Sequence, residues 1–436
     1  MIVMKFGGTS VGNADRIRKL GEIIKSRLKK KPVIVVSAVT KMTDTLIKLA
    51  RDKSDEALKH IISTHNLIIK ELGLNKRLLE AEFNELNKLA GSFKNHNVEI
   101  NNKALDKFQS FGERMSAKIV AAQLNKNGIK AKSFNSWELG FITDSEFGSA
   151  EPLESTCVNL RKNIGNLKEI PVITGFIGKN ENGDITTLGR GGSDYSAAIM
   201  GAAIGADEIE IWTDVNGIMS ADPKIVPNAK TMERVSFAEA SELAYFGAKV
   251  LHPKTLLPAM DKNIPVRVLN SFEPDKKGTT IHMGIEKRKS IIKAITCKKN
   301  ITIINVESSR MLGAYGFLAR VFDIFDDVRK SVDVVATSEV SVSMTVDNDD
   351  GLDVILRELS DIAITGVEKH KAIICAVGEG IKSGKGIAGK IFNVIGRNNI
   401  NIDIISQGAS AINVTFVVDE KFAEKAVRCL HKEFFG

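Results

Sequence analysis

Two glycine-rich segments of this chain carry a basic residue and lead into what reads as a helix. The first is Lys5-Phe6-Gly7-Gly8-Thr9-Ser10. Its two glycines let the backbone approach an anion closely, and a following helix presents free N–H groups to negative charge. Lys5 adds a point charge suited to phosphate. The spacing is not that of a Walker A loop, and taken alone the segment fits a tight strand-to-helix turn as well as an anion site. The second segment is Thr187-Leu188-Gly189-Arg190-Gly191-Gly192-Ser193-Asp194. Arg190 offers a planar fork that can grip a carboxylate or phosphate at two points. Ser193 or Asp194 could cap the helix, and Asp194 could instead orient a nucleophile or an incoming ammonium. Thr213 and Asp214 follow Trp212 at the end of a strand, where α/β folds place their ligands. Further on, Lys249 stands alone in Phe246-Gly247-Ala248-Lys249-Val250-Leu251-His252-Pro253. A surface lysine with a buried stem is the plain alternative there.

The elements that must position these residues alternate in type. Ile2–Phe6 reads as a buried strand, 14–28 as a helix and 33–36 as a second strand ending at Ser37. Residues 55–95 are helical and rich in Leu, Glu and Lys, and 104–125 form another helix that stops at Asn127-Gly128. Residues 170–177 read as one strand, with Asn182-Gly183 as a hairpin turn leading to 185–187. A small-residue helix over 193–203 and strands over 208–212 and 265–269 complete the pattern. Such alternation argues for a three-layer α/β/α sandwich on a mostly parallel sheet. The polar, turn-rich stretch 272–288 marks a domain boundary.

The tail contains a duplication. Gly316-Phe317-Leu318-Ala319-Arg320-Val321-Phe322 matches Gly386-Ile387-Ala388-Gly389-Lys390-Ile391-Phe392 without gaps. Each copy continues into an aspartate-bearing strand, Val332-Asp333 or Ile402-Asp403, and then into an alternating strand, 340–346 or 412–418. A period near seventy is too long for a solenoid. Two paired α+β domains with a one-faced sheet are expected.

Composition removes several function classes. The 436 residues are 43% hydrophobic and 26% charged, as in ordinary globular chains. No apolar run approaches the roughly 18 residues of a membrane span, and the first residues do not resemble a signal peptide. Four scattered cysteines, without a CxxC pair, indicate neither zinc nor a disulfide framework, so a reducing cytoplasm is expected. The net charge of +8 centres on Lys25–Lys31, where a cationic helix end is favoured by the helix dipole. Aromatics make up only 6% and do not alternate with the basic residues, so no nucleic-acid partner is expected.

In order along the chain stand KFGGTS, SAVTKMTD, FGERMSA, TTLGRGGSD, WTDVNGI and FGAKVLHP. This ordered set resembles the aspartokinases over essentially the whole chain, and the duplicated tail resembles a pair of ACT domains. The resemblance implies an amino-acid-kinase fold over 1–285 and a regulatory region over 286–436. Its ACT domains would cover about 305–370 and about 371–436, the second joined by the strand near 291–297. It implies ATP-dependent phosphorylation of the aspartate side chain, the first step of lysine, threonine and methionine biosynthesis. Mg²⁺ would arrive with ATP, held by phosphates and water, with no protein metal site of its own. Lys5, Arg190 and Asp194 are the implied catalytic residues. Ser37, Thr43, Glu113, Arg190 and Ser193 form the implied aspartate set. Lys5, Gly7, Gly8, Ser10, Thr213, Asp214, Met219, Lys224 and Lys249 match nucleotide-binding positions. Met219 stands where many relatives have tyrosine, and Lys224 where many have arginine. Met311, Ala314, Gly316, Phe317, Leu318, Val332, Asp333, Ser338 and Glu339 resemble an effector site, for lysine first and threonine as the rival. Ala314 replaces a serine found in some lysine-sensitive relatives. A homo-oligomer, dimer or tetramer, joined through the ACT domains is implied as well.

Overall fold

The computed structural model describes residues 1–95, 100–247, 251–284, 291–311, 315–408 and 412–436. Lys249, Ala314 and the boundary expected at 285–286 lie outside these. The chain divides into two compact units. The first holds Met1–Ile218, Thr231–Phe237 and Val250–Gly284; the second holds Met219–Lys230, Ala238–Lys249 and Ile285–Gly436. The second unit therefore takes two segments from the middle of the chain, an arrangement the sequence did not signal.

The first unit is built on strands β1 (Ile2–Phe6), β2 (Pro32–Val36), β3 (Ala131–Phe134), β4 (Ile142–Thr143), β5 (Ile170–Thr174), β6 (Ile177–Asn180), β7 (Ile185–Thr187), β8 (Glu208–Thr213), β9 (Arg234–Ser236), β10 (Val266–Asn270) and β11 (Thr279–His282). Eight of them form one sheet in the order β3-β5-β2-β1-β8-β10-β11-β9, and β4, β6 and β7 form a small second sheet. Every pairing in the large sheet is parallel except β10 with β11. Of the central strands, β2 is apolar on both faces, as expected where helices cover both. One face packs against α1 (Ala14–Arg27), α2 (Met42–Asp52), α3 (Asp55–Leu72), α4 (Glu80–Asn95) and α5 (Asn102–Lys126). On the other face lies α7 (Gly192–Ile204), after α6 (Ser155–Gly165). A Cβ on Gly201 of α7 would come within 2.6 Å of Ile209, so glycine is what lets this helix lie close to β8.

Two expected elements divide. The run 55–95 breaks at Gly73, which caps α3 in the left-handed conformation at φ 59°. The strand expected over 170–177 ends at Thr174. Gly175 and Phe176, at φ 66°, turn the chain before β6 begins.

The second unit contains α8 (Phe237–Tyr245) from its second residue onward; the short α9 (Leu257–Asp261) belongs to the first unit and precedes β10. The rest of the second unit comprises β12 (Ala294–Glu307), α10 (Phe317–Asp327), β13 (Val335–Thr337), β14 (Ser341–Val346), α11 (Leu352–Ser360), β15 (Ile364–Val377), α12 (Ile387–Arg397), β16 (Ile404–Ser406), β17 (Asn413–Asp419) and α13 (Ala423–Phe435). One antiparallel sheet runs β13-β14-β12-β15-β17-β16. The duplicated segments give two lobes with separate cores, one around Phe317, Val321 and Leu359, the other around Ile391, Phe416 and Leu430. The first half of β12 pairs with 373–377 of β15, and Ile292 and Ile295 enter the core of the second lobe. The two aspartates precede their strands instead of lying within them. The Asp333 N–H donates to Thr345 and the Asp403 N–H to Val417, which fixes both just before β13 and β16.

Candidate active site

Successive residues of a strand face opposite sides of the sheet. In β1, Ile2, Met4 and Phe6 enter the core beneath α1–α5, so Lys5 points toward α7. Its Nζ lies 2.6 Å from Asp194 Oδ1 in the first turn of that helix, and both side chains are largely buried. This pairing corrects one expectation. Neither Ser193 nor Asp194 caps α7; Gly191, at φ 72°, occupies the N-cap position with no side-chain bond. The Asp194 carboxylate is turned to Lys5 instead.

The turn after β1 is pinned on two sides. The Gly7 N–H donates to Trp212 O at 3.0 Å, and Thr40 Oγ1 donates to Gly8 O at 2.8 Å. A Cβ on Gly8 would stand 2.9 Å from Ala38 O, so glycine is required for this close approach. Ser10 Oγ donates to Ser271 Oγ at 2.8 Å, and Ser271 Oγ donates to Thr213 O at 3.0 Å. These bonds tie the turn to the end of β8, where Thr213 Oγ1 reaches Asp214 Oδ1 at 3.3 Å.

Glu113 projects from α5. Its Oε1 accepts the Ala38 N–H at 3.0 Å, and its buried Oε2 has no hydrogen-bond partner among the described residues. Full burial pushes the Glu113 carboxyl up to about 8, against the opposing effects of the Ala38 N–H and the Lys5 charge. A buried acceptor left unpaired is poised to receive a donor.

These groups line one cavity of about 350 Å³. The structure brings Lys5, Gly8, Ser37, Thr43, Glu113, Ser193 and Asp194 together there. Ala38, Thr40, Lys41, Asp44 and Phe176 also line it, and sequence reasoning had not singled them out. The left-handed Phe176 has no signal of its own in the sequence beyond the glycine before it. Gly7, Ser10, Arg190, Thr213 and Asp214 are not among the lining residues. Arg190 is exposed and makes no ion pair with a described residue. Together with burial, its charge lowers the pKa of His252. Met219 and the exposed Lys224 belong to the second unit, where the Lys224 N–H donates to Asp222 Oδ1 at 2.8 Å. Among the described residues, no group of three or more His, Cys, Asp or Glu could hold a metal ion.

In the second unit, Gly316 (φ 78°) caps α10, Phe317 is buried and Leu318 is exposed. Met311 and Val332 pack on the core of the first lobe. Ser338 Oγ bonds Ser341 Oγ at 2.7 Å, and Glu339 is exposed. The Asp333 carboxylate is almost fully buried and lies 2.7 Å from Lys298 Nζ. Lys298 also stands 5.4 Å from the ring centre of Tyr245. The repeat has a counterpart in Lys371, which pairs with Asp403 at 2.7 Å and Asp419 at 3.0 Å.

The model of the amino acid kinase family matches residues 1–270, and an ACT domain model matches 374–434. Aspartokinase 2, chloroplastic, of Arabidopsis thaliana is 40% identical across 99% of this chain and 84% of its own length. The chain belongs to the aspartokinases. The lysine-sensitive aspartokinase 3 of Escherichia coli is 34% identical over 100% of this chain and 99% of its own. The crystal structure of E. coli aspartokinase III in complex with aspartate and ADP superposes with a TM-score of 0.88 at 33% identity, with both chains fully covered. In this aspartokinase fold the Lys5–Asp194 cavity opens at the carboxyl ends of the central strands, the ordinary ligand position of parallel α/β sheets.

Proposed function

We propose that this chain transfers the γ-phosphoryl group of ATP to the side-chain carboxylate of L-aspartate, giving 4-phospho-L-aspartate and ADP. This is the first step toward lysine, threonine and methionine. The observation that carries the reading is the buried Lys5–Asp194 pair, in one cavity with Glu113, whose Oε2 has no partner among the described residues, and with Thr43 and Ser193.

The attacking carboxylate is already ionised near pH 7, so no general base is needed. One of its oxygens bonds to the γ-phosphorus as the bond to the ADP oxygen breaks. The obstacle is repulsion between two anions, so catalysis rests on positioning and charge. Lys5 Nζ offsets the charge on the transferring group, and Asp194 holds Lys5 in place. Glu113 takes the substrate ammonium. Thr43, Ser37 and Ser193 donate to substrate oxygens, and Arg190 closes on the α-carboxylate from the loop at the head of α7. Gly7, Gly8 and Ser10 shape the phosphate cradle; a side chain at Gly8 would fill the space beside Ala38 O, which supports that fit. Thr213, Asp214, Met219, Lys224 and Lys249 serve the nucleotide. Mg²⁺ bound with ATP would neutralise phosphate charge, and Asp214, exposed at the end of β8, is a carboxylate suited to its water shell.

We assign catalysis to 1–285 and regulation to 286–436, with the two ACT domains near 305–370 and 371–436. The separate cores of the two lobes support this. Lysine is the preferred effector and threonine the rival, at the site of Met311, Ala314, Gly316, Phe317, Leu318, Val332, Asp333, Ser338 and Glu339. The lysine-sensitive name of the E. coli relative supports the choice. An effector ammonium at Asp333 would exchange with Lys298. The ACT sheet suits self-association into a dimer or tetramer. Four free cysteines fit a reducing cytoplasm, and no described helix is long and apolar enough to cross a membrane.

An ADP-release assay with aspartate, repeated with lysine and with threonine, tests this reading. Lys5→Ala should lower kcat by about a hundredfold or more with an unchanged circular dichroism spectrum. Near-normal turnover would remove Lys5 from its role.

A further inference from the structure

Asp106 is buried in α5, seven residues before Glu113, and so lies on the same face of the helix two turns away. Its carboxylate accepts three hydrogen bonds. Oδ2 takes the Gly148 N–H and the Thr187 N–H, each at 2.9 Å, and Oδ1 takes Thr187 Oγ1 at 2.8 Å. Thr187 is held from its other side too, because its carbonyl accepts the Ala150 N–H at 2.9 Å. Thr187 is the last residue of β7 and the one from which the glycine-rich loop toward Arg190 and Asp194 departs. The Gly148 carbonyl meets that loop as well: a Cβ on Gly189 would lie 3.0 Å from it. A carboxylate with no cation partner among the described residues is a costly group to bury for packing alone.

We propose that Asp106 is a positioning residue for aspartate. It fixes the base of the Gly189–Asp194 loop at a set distance from Glu113, so that one rigid helix determines both ends of the substrate site. The inference rests on the reading that this loop handles aspartate.

The test is initial-rate kinetics of the full chain, with aspartate and ATP varied separately and melting temperatures measured alongside. Asp106→Asn should lower kcat/KM for aspartate about tenfold or more while kcat/KM for ATP stays within about twofold. Thr187→Val should show the same pattern more weakly. The Asp106→Asn/Arg190→Ala double variant should lose less than the product of the single losses, because both act through one loop. A lowered melting temperature with unchanged aspartate kinetics, or an equal loss for both substrates, would overturn the proposal. If Asp106→Asn does not fold, Thr187→Val decides by the same criteria. Arg190→Ala tests the underlying reading independently. Should it affect ATP alone, the loop would lose its aspartate assignment. Asp106→Asn would then have to follow it onto ATP for the positioning role to stand, and failure to follow would end it.

Discussion

Glu113 must hold an ammonium from a site that discourages its own charge. Burial raises its carboxyl from 4.5 to about 8, so below that pH the empty site carries a proton there. An ammonium arriving at Oε2 favours the carboxylate and expels that proton. The kcat/KM for aspartate should therefore rise with pH and level off near 8, by up to about tenfold per pH unit. Glu113→Gln should flatten the profile, and an unchanged slope in that variant would assign the titration to another group. Stability follows from the same shift. Between 4.5 and about 8 the folded chain holds a proton that the unfolded chain has lost, so the Glu113 contribution falls as pH rises through that window. Of the residues named from sequence, Lys5, Gly8, Ser37, Thr43, Glu113, Ser193 and Asp194 share the cavity. Asp106 escaped notice because a lone aspartate in a helix has no spacing signature; only Thr187 and Gly148, distant in sequence, reveal its place.

Helix α5 is the element on which the site depends. Its Gly112 lies so close to the turn after β2 that an added Cβ would stand 2.6 Å from Ala38 Cβ. Gly112→Ala should push α5 away from that turn, stretch the Ala38–Glu113 bond and cost about 1–3 kcal/mol of stability. Aspartate kinetics should suffer more than ATP kinetics, as a thermal melt and a two-substrate kinetic series would show. The break after β5 is another event at the scale of the element. An apolar run from Ile170 to Ile177 looks continuous by periodicity, yet Gly175 packs so tightly that a Cβ would stand 2.8 Å from Ser193 Cβ. The strand must stop where α7 begins, and that constraint is invisible in a local window.

For the molecule as a whole, regulation requires that an effector bind two states with different affinity. Lysine, if it binds, should stabilise the chain by about 2.7 kcal/mol at a hundredfold excess over its Kd. Asp333→Asn should abolish both this shift and the inhibition. Retained inhibition in that variant would move the ammonium contact elsewhere. Because Asp333 is paired with Lys298, Lys298→Met should also change the lysine concentration needed for half-inhibition. An unaltered value would refute the exchange.

The sequence by itself determined the alternating α/β pattern, both glycine turns and the duplication in the tail. All three are local: side-chain period, glycine placement and repetition are written along the chain. Tertiary structure decided what those features meet. The parity of β1 turned Lys5 toward α7, and the α7 turn gave Asp194 to Lys5 instead of to its own backbone. Packing of α5 buried Glu113 beside Ala38 and Asp106 beside Thr187. Two mid-chain segments joined the second unit. Each of these depends on contacts between residues far apart in the chain, where burial and close approach outweigh local preference.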